Sequence, residues 1–201
     1  MSRIIALFAA TLSLVAPGLA YDAGSQALVD RFKVGKLVRP ADLATLMMGA
    51  ERWCYNQQGY DCGWSDIYLS ADADGASYEL TNPWSESIDI SFVDRGEFRN
   101  ERYFCEMGMD WVPSLRAFGR ADGLAIEGRD LAALRDEIAV LVQAEDSSDC
   151  FDYIYRGHDA AEQTITLLQR QFVGGVHAQD RDATVTLHFD KLKADNLGWY
   201  W

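Results

Sequence analysis

Ser87-Ile88-Asp89-Ile90-Ser91-Phe92 alternates polar and apolar residues with a period of two. Successive side chains of a strand point to opposite faces, so Ile88, Ile90 and Phe92 predict one buried face and their neighbours a polar one. The segments around it have the same texture. Upstream, Ile67–Ser70 and Ser77–Leu80 flank Asp74-Gly75, a pair suited to the positive φ angles of a tight hairpin turn. Downstream, Arg102–Met107 follows Gly96, and Leu115–Gly119 and Leu124–Ile126 bracket the turn residues Ala121-Asp122-Gly123. Further on, Phe151, Tyr153 and Tyr155 alternate with Asp152, Ile154 and Arg156. Two more strands are predicted over Thr164–Phe172 and Thr184–Asp190, the last with Val185, Leu187 and Phe189 on one face.

Helical spacing is confined to three places. Residues 24–33 carry it weakly. Pro40 suits the first turn of a better helix, in which Leu43, Leu46, Met47, Ala50 and Trp53 make one continuous face running into Cys54. After Gly128, Leu131, Leu134, Ile138, Leu141 and Val142 repeat at helical spacing until the acidic loop Glu145–Asp149. Strands that run consecutively, rather than alternating with helices, predict an α+β fold. The expected architecture is a mostly antiparallel sheet of about eight strands, in one sheet or two sub-sheets, with two or three helices packed on one side.

The opening residues read as a secretory signal peptide. Arg3 supplies the positive start, Ile4–Val15 a short apolar run, and Gly18-Leu19-Ala20 the small residues a signal peptidase inspects. Cleavage is predicted after Ala20, leaving residues 21–201 as a single secreted or periplasmic domain, and the apolar run is too short to span a bilayer. An outer-membrane barrel is disfavoured by the amphipathic helices and by the lack of regular ten-residue lipid-facing strands. In an oxidising compartment Cys54, Cys62, Cys105 and Cys150 predict disulfides, paired Cys54–Cys62 and Cys105–Cys150 because Gly59 can turn the short first loop.

The formal charge of −13 becomes −14 once Arg3 leaves with the first 20 residues. From Trp53 to Asp94 there is no Lys or Arg but eight acids, while Arg31, Lys33, Lys36 and Arg39 cluster upstream. A field of that sign repels nucleic acid and anionic lipid and suits a cationic partner.

Catalytic signatures are sparse. The chain has no G-x-S-x-G elbow, S-x-x-K or H-E-x-x-H. No cofactor is implied. His158, His177 and His188 are the only histidines, and their convergence would be needed for a metal site. Ser70–Gly75 imitates a calcium loop, with Asp72 and Asp74 in ligand positions, but Thr81 stands where the bidentate acid belongs. Glu86, Asp89, Asp94, Glu97 and Glu106 offer carboxylate pairs for glycan cleavage. Trp84 and Trp111 fall in loops, where a flat ring can anchor a contact, and Trp199-Tyr200-Trp201 ends the chain, where it can fold back to plug the core.

Together these features point to an exported, non-catalytic binding or accessory protein that docks a cationic protein or peptide. Trp84, Trp111, Asp72, Asp74, Glu86 and Asp89 are its candidate surface. The alternatives are an envelope hydrolase acting on glycan or peptide through carboxylates or a histidine cluster, and a purely structural domain.

Overall fold

The computed structural model describes residues 21–108, 110–142 and 149–201. The opening residues, read as a signal peptide, and nearly all of the acidic loop after residue 142 lie outside the described residues. Eight strands form the body: β1 (Arg52–Tyr55), β2 (Trp64–Ala71), β3 (Gly75–Pro83), β4 (Ile88–Arg99), β5 (Tyr103–Glu106), β6 (Cys150–Asp159), β7 (Thr164–Val173) and β8 (Ala183–His188). Each pairs antiparallel with the next in the chain, and β8 returns to pair with β1. The sheet is therefore a closed up-and-down barrel, not an open layer with helices on one side. Period-two alternation specifies an inside and an outside for either form, whereas closure removes the unpaired edges.

Two short helices, α1 (Ala23–Val29) and α2 (Pro40–Gly49), cover one end of the barrel. Asp22 caps α1 by accepting from the amides of Gly24 and Ser25 at 2.9 and 3.1 Å. Leu28, Val29, Leu43, Leu46 and Met47 then pack with Trp53, Ile165, Val185 and Leu187 in the main core. The helical stripe expected through Trp53 stops early. Ala50 is already extended, the Glu51 amide donates to the His188 carbonyl at 2.8 Å, and Trp53 lies in β1 opposite Leu187. The β-prone run Arg52-Trp53-Cys54-Tyr55 is claimed by the sheet once Gly49 ends the helix.

Asp74-Gly75 turns the chain between β2 and β3, but neither residue has the expected positive φ. The turn is held by Asp72, whose side chain accepts from the amides of Asp74 (2.8 Å) and Gly75 (3.2 Å). Gly75 is needed for proximity: a Cβ there would stand 2.2 Å from the Gly96 carbonyl oxygen. Gly75→Ala should therefore destabilise the protein by about 1–3 kcal/mol, read by urea denaturation.

The seam between β5 and β6 is the shortest ladder in the barrel, with only Phe104↔Phe151 and Cys105↔Cys150 in register. Three devices reinforce it. The Cys105–Cys150 disulfide crosses the second of those pairs. Residues 35–38 continue the edge, with the Gly35 and Val38 amides donating to the Tyr155 and Tyr153 carbonyls at 2.8 Å. Asp152, fully buried, accepts from Arg102 (2.6 and 2.7 Å) and Arg170 (both 2.7 Å).

The long excursion between β5 and β6 builds a second core. Helix α3 (Gly128–Val142) places Leu134 and Ile138 against Ile90, Phe92, Leu115 and Ala117. Strand Arg116–Gly119 pairs with β4 there, so Ile90 and Phe92 are buried as their alternation predicts. The second disulfide, Cys54–Cys62, closes a loop in which Gly59 has φ 61°. Past helix α4 (Lys191–Asp195), the tail does not plug the core. Gly198–Trp199 pairs with Asp61–Cys62 on the barrel's outer wall, and the Trp199 indole donates to the Ser65 hydroxyl at 3.1 Å. No described helix is long and apolar enough to cross a membrane.

Candidate functional site

Opposite the helical plug the barrel opens into a cavity of about 210 Å³. The strand ends give its depth. Trp64 begins β2, Tyr55 ends β1, Glu106 ends β5, and Asp149 precedes β6 at the mouth. Below them the walls are aromatic and polar together: Tyr68, Tyr78, Phe104, Phe151 and Tyr153, with Asp66 and Gln169 among them. Tyr55 and Trp64 stack with ring centres 4.8 Å apart, and Tyr68, Tyr78 and Phe104 continue the belt.

One strand presents the unexpected face to this cavity. In β2, Asp66 and Tyr68 are buried while Ile67 and Leu69 are exposed. In β4, Asp94 continues the buried face of Ile90 and Phe92 and lies opposite Tyr78. Burying aspartate and exposing isoleucine opposes the usual partition of these side chains. Local choices that work against the fold are expected where a site needs them.

The Tyr55 hydroxyl donates to Asp66 Oδ2 at 2.7 Å, whereas the buried Asp66 Oδ1 has no hydrogen-bond partner among the described residues. Burial lifts the Asp66 carboxyl to about 7, the Tyr55 hydrogen bond works against that, and the charge of Asp94 adds to it. Asp94 rises to about 6, mainly by burial, with the Arg95 amide opposing. Tyr55, Tyr68, Tyr78 and Tyr153 are all pushed up by burial and stay neutral donors. Gln169 donates to the Tyr153 hydroxyl at 2.9 Å. Gln171 donates to Asp149 Oδ2, and the buried Asp149 Oδ1 has no hydrogen-bond partner among the described residues. None of the described residues lining the cavity is Lys, Arg or His.

Asp66 makes stability depend on pH. Its folded value near 7 exceeds the ordinary aspartate value of 3.8, so the folded chain holds a proton that the unfolded chain releases between these limits. Stability from this group is complete below pH 4, falls as pH rises to 7, and is level above. Asp66→Asn should flatten that slope and gain about 2 kcal/mol at pH 8, after allowing for relaxation around the buried carboxylate. Urea melts at pH 4.5 and 8 check it: an unchanged slope in the variant contradicts the assignment.

The residues singled out in sequence fall elsewhere. Asp72 and Asp74 are exposed in the β2–β3 turn at the plugged end. Trp84 is half-buried against the second core, and Trp111 stacks on Phe92 with centroids 4.0 Å apart. Glu86 is exposed beside Trp84, and Asp89 faces outward to Arg120 at 3.3 Å. The six are not brought to one surface. Among the carboxylates considered for glycan cleavage, Glu106 lines the cavity and Asp94 approaches the Tyr78 hydroxyl at 3.5 Å, while Glu97 pairs with Arg99 outside.

The histidines do not converge. His158 contacts the Tyr155 hydroxyl at 2.7 Å, His177 contacts Asp182 at 2.8 Å, and His188 contacts Gln57 at 2.9 Å. His188 is buried rather than on the surface, and burial lowers it to about 4. Among the described residues no group of three or more His, Cys, Asp or Glu could hold a metal ion.

Sequence reasoning passed over Asp66, Trp64 and the inward tyrosines. Their signal was the conflict in Asp66-Ile67-Tyr68-Leu69, where either phase of the alternation can face in. Comparison with protein families, curated proteins and solved structures finds no match, so function rests on the geometry.

Proposed function

We propose that this is an exported, disulfide-stabilised binding protein whose ligand site is the interior of the barrel. One observation carries the reading: a cavity open at one end, walled by aromatic rings and buried polar groups that the fold itself does not require. Eight-stranded barrels are just wide enough to be filled by side chains or to hold one small ligand, and the interior left here is of the second kind. Its volume, about 210 Å³, lies below the roughly 300–1,000 Å³ of drug-sized pockets, so the ligand is small. Export is supported by the signal-like opening and by two disulfides, and a positively charged partner by the net charge.

The test is a thermal-shift screen of small solutes on the wild type and on Leu80→Trp, which fills the cavity. Binding in the barrel gives solutes that raise the Tm of the wild type alone. Solutes that stabilise both proteins equally overturn the reading.

The hydrolase reading has one observation in its favour, a carboxyl held near pH 7 in the same cavity as Glu106. Against it stands size: a scissile glycosidic bond needs a sugar on each side, and that substrate is drug-sized.

A further inference from the structure

We infer that the barrel interior is a cage for a small organic cation, an alkylammonium group in contact with aromatic faces and paired with Asp66. The inference deepens the binding reading above and rests on it. Tyr55, Trp64, Tyr68, Tyr78, Phe104 and Tyr153 surround the space, and an aromatic face attracts a cation through the negative lobe of its quadrupole. Asp66, only 4% exposed, supplies the counter-charge, and its Oδ1 is buried without a donor among the described residues. At the mouth Asp149 Oδ1 is likewise buried and without a partner among the described residues.

With acids and no basic residue among the described lining, an anionic ligand would meet like charge and have only neutral tyrosine and glutamine donors to offset it. A neutral ligand could donate to Asp66 and pack against the rings but would gain no charge–quadrupole attraction from their faces. A cation uses both, and it favours the ionised carboxylate that burial alone disfavours. The surrounding field favours the same sign, because the stretch from Trp53 to Asp94, which includes β2 and β3, carries eight acids and no Lys or Arg.

The experiment is isothermal titration of the oxidised chain at pH 8 with choline, with its neutral isostere 3,3-dimethyl-1-butanol, and with acetate. Ionic strength is held constant. Choline is expected to bind at least ~30-fold tighter than the isostere, and acetate not at all. Asp66→Asn should weaken choline by ~10-fold or more and leave the isostere unchanged, with folding confirmed by a cooperative melt. Equal affinity for choline and the isostere, displacement by acetate, or no heat from choline overturns the inference.

Leu80→Trp separates this failure from failure of the parent reading. If the isostere binds as well as choline and both are lost in the filled variant, the cavity remains the site and only the cation is wrong. If binding of both persists in that variant, the barrel interior is not the site.

Discussion

Replacing Arg102 and Arg170 together by alanine is expected to destabilise the protein by about 5 kcal/mol, enough to unfold a domain of ordinary stability. The effect comes from what remains. Asp152 is fully buried, and all four of its short contacts come from these two guanidinium groups. Without them the carboxylate loses the positive charge that compensates its burial. The arginines themselves are better placed to lose their partner, with side chains 37% and 23% exposed and stacked near Tyr103 and Phe172. Asp152→Asn alone should therefore cost less than the double arginine change, and adding it to that double variant should restore most of the loss. Breaking the exposed Lys191–Asp195 pair on α4 should cost only about 0.3–0.5 kcal/mol. Urea denaturation of the four variants gives the ranking, and a double arginine variant as stable as the Lys191 control contradicts the account.

Removing the Cys105–Cys150 bridge by serine substitution at both positions is the second large effect, about 4 kcal/mol against about 2.5 for Cys54–Cys62. The difference follows from the chain closed by each bond, with sequence separations of 45 and 8. The longer loop holds α3 and the second core, and its bond crosses the barrel's two-pair ladder. Equilibrium unfolding of the two double-serine variants measures the order. If the short loop proves the more important, the entropy of the open chain is not what the longer bond chiefly restrains. Because Glu106 and Asp149 adjoin these cysteines, the Cys105 variant should also lose ligand affinity that the Cys54 variant retains.

Several parts of this arrangement could be read without coordinates. The disulfide pairing follows from Gly59 and the spacing of four cysteines, and α3 follows from five apolar residues at helical intervals. The strand at Ile88–Phe92 announces itself because its apolar residues face a dry core. Strand β1 was hidden because Trp53 continues the periodicity of α2 by coincidence, and only the pairing with His188 and Leu187 decides its state. The site was hidden for a stronger reason. Hydrophobic alternation assumes that the buried face is the apolar one, and at Asp66-Ile67 the cavity reverses that assumption. Exposed loop tryptophans and acidic turns looked functional because they are polar or accessible. Trp84 and Trp111 instead close the second core, and Asp72 makes a turn.

The order of pairing has a consequence for how the molecule comes into being. Six of the eight ladders join strands separated by one turn or a short loop, so their hairpins can assemble locally and quickly as the chain is made. The ladder between β8 and β1 is different: it matches Val185 with Tyr55 across most of the sequence, and no local turn shortens that search. Ring closure is thus expected to be the slow, late event, and until Ala183–His188 arrives there is an open curved ribbon with its tyrosines in water. Nascent chains halted before that strand should have no ligand affinity, however complete their earlier hairpins are.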